Sequence, residues 1–256
     1  MKRIIHVLER DFRYFFRYKW WIVGMLSMSL ADLFIMAVVY RRMVNPEFFE
    51  DYFLFFSPGI TITALFAAAF MIGREINMEI RREISHYMLS LPIKRWELAF
   101  GRVLAGGLRG MAYTTPLLLT TILVTFVLAG NVPSLLQMLI IVLALFLVSV
   151  GTSGLSITLA LSTTSFEKYV TARGVVYYLL FFCSTVFYPL NLVQSVMPQP
   201  FAIIAQYNPL SCGADLARSF LLGYPPLELV MLLDLVIFAL IFASLAMFSY
   251  MRIVQK

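Results

Sequence analysis

Residues 20–40, WWIVGMLSMSLADLFIMAVVY, hold one charged side chain, Asp32, in 21 positions. A helix of about 20 apolar residues is the length that crosses a bilayer. Further apolar runs lie at about 54–73, 103–129, 134–162, 170–190 and 226–251. In lipid the backbone must satisfy its own hydrogen bonds, so each run predicts a helix. The expected fold is an all-α integral membrane protein with six transmembrane helices, forming one transmembrane domain over residues 1–256. Composition agrees: 61% of the chain is hydrophobic and only 13% is charged, against about a quarter charged in soluble domains. Six spans leave no room for a large soluble domain.

The net charge of +6 would suggest nucleic acid as a partner for a soluble protein. In a membrane chain, Lys and Arg set topology instead, and no nucleic-acid role is expected. Sixteen of them fall in residues 1–19, 74–102, 163–173 and the C-terminal end; three, Arg41, Arg42 and Arg218, fall in the opposite loops. Both termini are therefore expected in the cytoplasm of a multi-pass protein of the cell membrane. Within residues 1–19, Ile4, Ile5, Leu8, Phe12, Phe15 and Phe16 recur at helical spacing among basic residues, which predicts an interfacial helix. No small-residue cleavage site follows it, so it does not read as a secretory signal peptide.

Two segments stand apart from the spans. Residues 74–102 are charged, yet Ile76, Ile80, Ile84, Tyr87 and Leu91 form an apolar stripe. The stripe predicts a helix leaving the second span, broken at Leu91-Pro92 because proline disfavours helix in the residue before it. A second helix is expected to start near Ile93 to Trp96. Such a knuckle suits docking in a groove of another protein, or packing on its own membrane domain. Residues 188–226 hold six of the eleven prolines. Their two apolar pieces, about 190–206 and 210–222, are too short to span and suggest an external re-entrant helix pair over 191–225. Irregular backbone at that depth has to be buried in protein or line a wet cavity.

No GxxxxGK[ST], GxSxG or HExxH occurs, so neither a nucleotide-binding P-loop nor a familiar hydrolase site is expected. Catalytic, metal and cofactor-binding residues are all expected to be absent. Charges within spans are costly and suggest function. Asp32 is compatible with a polar cavity, an inter-subunit contact or a carboxylate satisfied by a neighbouring helix. Asp234, nearer the outer surface, favours the last of these. Arg109, in the first two turns of the third span, is near enough to snorkel to the cytoplasmic face, and with Asp32 and Asp234 it is a candidate for lining a path or for a polar contact between helices. Asp215 and Arg218, three apart, can pair locally. Gly106 and Gly110, and Gly151 and Gly154 with Ser149, Ser153 and Ser156, permit close helix approach. Pro58 and Pro116 are expected to kink their helices. Cys183 and Cys212 are not expected to form a disulfide.

The order of these features resembles the type-2 ABC-transporter permeases. The resemblance runs through Met88-Leu89-Ser90-Leu91-Pro92, Arg95-Trp96-Glu97-Leu98 and Gly101-Arg102, then FYPLNLVQSVMP and YNPLSCGADLAR (207–218). It covers essentially the whole chain. One departure is Glu83, where that family usually has glycine about nine residues before the proline. The resemblance implies a non-enzymatic permease subunit exporting a lipophilic drug, lipid or glycan. It implies two separate ABC ATPase subunits holding ATP and Mg, a second permease subunit, identical or not, and membrane lipid around them. Residues 74–102 would be the cytoplasmic coupling segment, with Glu83, Leu89, Leu91, Pro92, Arg95, Trp96 and Glu97 facing the ATPase. Pro189, Asn208 and Pro209 would belong to the re-entrant motif. The alternative is a secondary carrier or channel without an ATPase; such carriers tend to show inverted repeats, and residues 20–128 and 134–251 show no convincing one.

Overall fold

The computed structural model describes residues 2–36, 39, 51–90, 92–226 and 228–253. All regular structure among these is helical. In chain order the helices are α1 (Lys2–Arg17), α2 (Lys19–Ala31, continued by a π-helical turn, Asp32–Met36), α3 (Tyr52–Arg81), α4 (Ile84–Ser90), α5 (Arg95–Ala129) and α6 (Leu135–Ser162). There follow α7 (Phe166–Phe182), α8 (Leu190–Val196), α9 (Gln199–Tyr207), α10 (Pro209–Leu222) and α11 (Leu229–Ile253). Four are long and apolar enough to cross a bilayer: α3, α5, α6 and α11. The apolar part of α2, Ile22–Ile35, is shorter, and the end of the expected first span, with Arg41 and Arg42, falls outside the described residues.

Local chemistry sets the helix ends. Asp51 accepts the Phe53 N–H at 2.9 Å and opens α3. Ser134 accepts from the Gln137 N–H while the Gln137 amide oxygen accepts the Ser134 N–H at 2.7 Å, a reciprocal cap that starts α6. Gly130, left-handed at φ 66°, closes α5. Inside α3, Pro58 cannot donate to Leu54, and the Ser57 hydroxyl bonds that carbonyl instead at 3.3 Å.

Helix α3 forms the centre, buried along most of its apolar length and packed against α5, α6 and α10. Its Phe66 and Phe70 lie in the main core with Leu145 and Val148 of α6 and Leu216 of α10. The small-residue stripe of α6 divides between two faces. Ser149 and Ser156 turn inward, donating to the carbonyls of Gly107 (2.7 Å) and Phe70, and the Ser156 hydroxyl also accepts the Gly73 N–H at 3.2 Å. Gly151 and Gly154 turn to α11, where a Cβ on Gly154 would stand 2.5 Å from the Phe242 backbone. Gly106 meets the Ser153 side chain and Gly110 the Ser149 side chain, so both predicted glycine motifs sit at close helix contacts.

Three expectations need correction. The fifth run does not stay helical to 190: α7 ends at Phe182, and residues 183–189 are irregular because their backbone carbonyls serve the polar cluster described below. The first apolar piece of the 191–225 segment is two helices, α8 and α9, divided at Met197-Pro198, since proline cannot continue α8. Helix α1 does not present its six apolar residues on a single outer face. Val7, Asp11 and Phe15 are buried against the bundle, whereas Ile5 and Phe16 stay exposed.

Candidate functional site

The knuckle between α3 and α5 is shorter and more sharply bent than its apolar stripe suggests. Helix α3 stops at Arg81, and Glu83 adopts a left-handed backbone with φ 58°. A side chain with a Cβ is uncommon there and glycine is the usual occupant. The position expected to hold glycine is thus one whose backbone favours it, and Glu83 reproduces the bend. Helix α4 runs from Ile84 to Ser90; Leu89 lies on it, and Leu91 lies outside the described residues. Pro92, at the break, is exposed. Arg95 and Trp96 open α5 and both face outward, Trp96 being 48% and Tyr87 of α4 68% exposed. Glu97 turns inward instead. Its carboxylate accepts the Lys94 N–H at 3.0 Å and pairs with Arg3 at 3.6 Å, so it ties the start of α5 to α1.

Behind the knuckle lies a buried charge network that the sequence does not advertise. Arg102 of α5, 1% exposed, donates to Asp11 of α1 and to Glu79 of α3. Glu79 also receives Arg10 at 2.7 Å. The sulfur of Met88, on α4, accepts from Arg10 at 3.0 Å and from Arg102 at 3.4 Å. One turn or two further along α5, Arg109 pairs with Glu75 at 2.6 Å, donates to the Asp11 carbonyl and lies over the Phe15 ring, 5.4 Å from its centroid. Arg109 does not snorkel but makes polar contacts between helices: it is fully buried, because Glu75 and the α1 backbone supply inside the bundle what the interface would have supplied outside. Four chain segments, α1, α3, α4 and α5, are tied together here.

The opposite end of the bundle has a second hub. Arg218 of α10, fully buried, reaches the Phe55 carbonyl of α3 (2.9 Å) and the Thr185 and Val186 carbonyls (2.8 and 2.9 Å). It pairs with Asp215 at 2.6 Å, as its spacing predicts, and stacks on the Phe55 ring at 3.7 Å. The planar guanidinium fork allows this; a lysine ammonium lacks it. Thr185 also donates to Asp215 at 2.8 Å. Asn208 caps α10, accepting the Leu210 N–H at 3.0 Å, while its amide donates to the Leu180 and Cys183 carbonyls at 2.7 and 2.6 Å. Pro209 follows as the first helical residue, where its missing N–H costs nothing. The Cys183, Thr185 and Val186 carbonyls of the irregular stretch 183–189 are thereby satisfied within the protein. Pro189 starts α8 and borders two cavities of about 820 and 530 Å³.

The remaining predicted polar residues do not converge. Asp32 begins the π-helical turn, its N–H shared between the Met28 and Ser29 carbonyls, and its side chain is exposed. Asp234 is half-buried and lines the 530 Å³ cavity with Asp215 and Glu228. Cys183 and Cys212 are free thiols.

Apolar helices of spanning length, a bent exposed knuckle and short helices at the other end define a polytopic membrane protein. The chain belongs to the ABC-2 type transporter family, which it matches over residues 2–222. This membrane family supplies transport subunits rather than catalytic ones and implies an ABC transporter with ATPase partners. Comparison with curated proteins finds no match.

Proposed function

We propose that this chain is the permease subunit of an ATP-driven exporter and that residues 82–97 are its contact with the ATPase. The observation that carries the proposal is the knuckle: Tyr87, Pro92 and Trp96 stand exposed on a segment bent at Glu83. Exposed aromatic groups on a short rigid helix are the usual anchors of a docking surface. The charge network behind it gives the contact mechanical meaning. Movement of the knuckle is passed to α1 and α3 through Arg102, Asp11 and Glu79, and along α5 through the helix itself.

In this reading α2 and α7 complete a six-span layout with both termini in the cytoplasm of the cell membrane. Two ATPase subunits, carrying ATP and Mg, and a second permease subunit complete the transporter. Closure of the ATPases on ATP would tilt the knuckle and the long helices joined to it. The spans are rich in Phe, Leu and Met, which favours a lipophilic cargo, a drug or lipid, over a glycan. The test is co-purification with the cognate ATPase. Tyr87→Ala with Trp96→Ala is expected to lower recovery of the ATPase at least tenfold while leaving the permease folded. Full recovery together with unchanged transport would remove the knuckle from the coupling path.

A further inference from the structure

Between α1 and α3 lies a cavity of about 450 Å³, within the range of about 300–1,000 Å³ typical of small-ligand sites. One wall carries Arg10 and Tyr14 of α1 at four-residue spacing, with Phe15 beside them and Tyr18 just past the end of the helix. The other is a stripe of α3 at three- and four-residue spacing, from Met71 through Arg74 to Met78, with Arg82 at the C-cap just beyond the helix. Glu75 and Glu79 also line it, but Glu75 is engaged by Arg109 and Glu79 by Arg10 and Arg102. Arg74 and Arg82 are exposed and make no ion pair among the described residues. Counting Arg10, Arg74, Arg82, Arg102 and Arg109 against Asp11, Glu75 and Glu79 leaves two positive charges at the cavity. Two tyrosines, half-exposed, offer hydroxyl groups beside them, and Phe15, Met71 and Met78 make the rest of the lining apolar.

We infer that this cavity binds the phosphate headgroup of an anionic lipid of the cytoplasmic leaflet, with Arg74 and Arg82 as the phosphate ligands. Guanidinium forks match phosphate oxygens. The apolar lining accommodates the start of the acyl chains, and the exposed Ile5 and Phe16 place α1 at the same depth. A lipid seated here bridges α1 to the part of α3 that leads into the knuckle. The leaflet rests on the orientation proposed above, whereas the phosphate chemistry does not.

The purified full-length chain is titrated with phosphatidylglycerol or phosphatidylcholine and bound lipids are counted by native mass spectrometry. At about fivefold per guanidinium, two groups predict a preference for phosphatidylglycerol of about 25-fold. Arg74→Gln with Arg82→Gln abolishes the preference, and Arg74→Lys with Arg82→Lys keeps most of it. Both residues are exposed, so all variants unfold at the native temperature. Equal binding of the two lipids by the native chain, or an unchanged preference in the glutamine variant, overturns the site. Soluble glycerol phosphate is expected not to displace the lipid at millimolar concentration; displacement would overturn the lipid assignment. Labelling of Arg82→Cys with an impermeant maleimide, in a background with Cys183 and Cys212 replaced, checks the leaflet separately. Reaction only in inverted vesicles supports it, and reaction in intact cells overturns the orientation and the leaflet but leaves the lipid preference to stand or fall on its own measurement.

Discussion

Asp11 of α1 and Arg102 of α5 meet at 3.2 Å with both side chains almost wholly buried, 91 residues apart in sequence. Glu79 of α3 completes the group from a third helix. Removing one partner of a buried pair leaves an uncompensated charge, at a cost of about 3 kcal/mol. Asp11→Ala is therefore expected to lower the thermal midpoint of the detergent-purified protein by about 6–12 °C. Adding Arg102→Met is expected to restore part of the loss. An Asp11→Ala variant as stable as the native protein would show that Glu79 alone satisfies Arg102.

Arg218 predicts a different sensitivity. It holds three carbonyls and one carboxylate from a fully buried position. Lysine keeps the charge but cannot serve the Phe55, Thr185 and Val186 carbonyls together. Each buried acceptor left without a partner costs about 1–3 kcal/mol. Arg218→Lys is expected to cost about 3 kcal/mol in total and to loosen residues 183–189. The readout is maleimide reaction at Cys183, now buried, which should quicken at least tenfold. Unchanged protection of that thiol would contradict the role given to the guanidinium.

Glu83 sits in a backbone region that costs a residue with a Cβ about 1–2 kcal/mol. Glu83→Gly removes that cost but enlarges the freedom of the unfolded chain, for a net gain of about 0.5–1 kcal/mol. Glu83→Val, β-branched, is expected to lose stability instead. Thermal unfolding of the three proteins should rank them glycine, glutamate, valine; glutamate ranking first would mean that the carboxylate makes a contact that outweighs the strain.

Two glycines give a paired test of helix packing. A Cβ on Gly154 would meet the Phe242 backbone of α11, which cannot rotate away, so Gly154→Ala is expected to cost about 2 kcal/mol. Gly174 of α7 has open space around its Cβ position. Gly174→Ala should gain up to about 1 kcal/mol from helix propensity. Equal effects at the two sites would refute the close approach of α6 and α11.

Much of the candidate site was legible in the sequence, and what was missed shares one cause. The Leu91-Pro92 break and the Asp215–Arg218 pair are properties of neighbours along the chain, whereas Trp96, Asn208 and Pro209 were marked out by the family resemblance. The oddity of Glu83 came from the family resemblance, which leads one to expect glycine there; a single glutamate in a charged helix carries no local mark of a bend. Asp11 went unmarked: one acidic residue in a basic helix looks like a solvated charge. Arg102 and Arg109 looked like a topology signal and a snorkelling side chain, since charge near a span end is ordinarily held by water or headgroups.

The sequence by itself determined that this chain is a bundle of apolar helices with a bent polar segment between two of them. Length, hydropathy and proline positions are sufficient for that, because a backbone in lipid has few ways to satisfy itself. Only the tertiary structure decided where the charges went. Arg102 and Arg109 are buried because Asp11, Glu75 and Glu79 meet them from helices distant in sequence, and Arg218 is buried because three carbonyls converge on it. Whether a charge is solvated or enclosed depends on what stands opposite it, and periodicity along one helix carries no record of that.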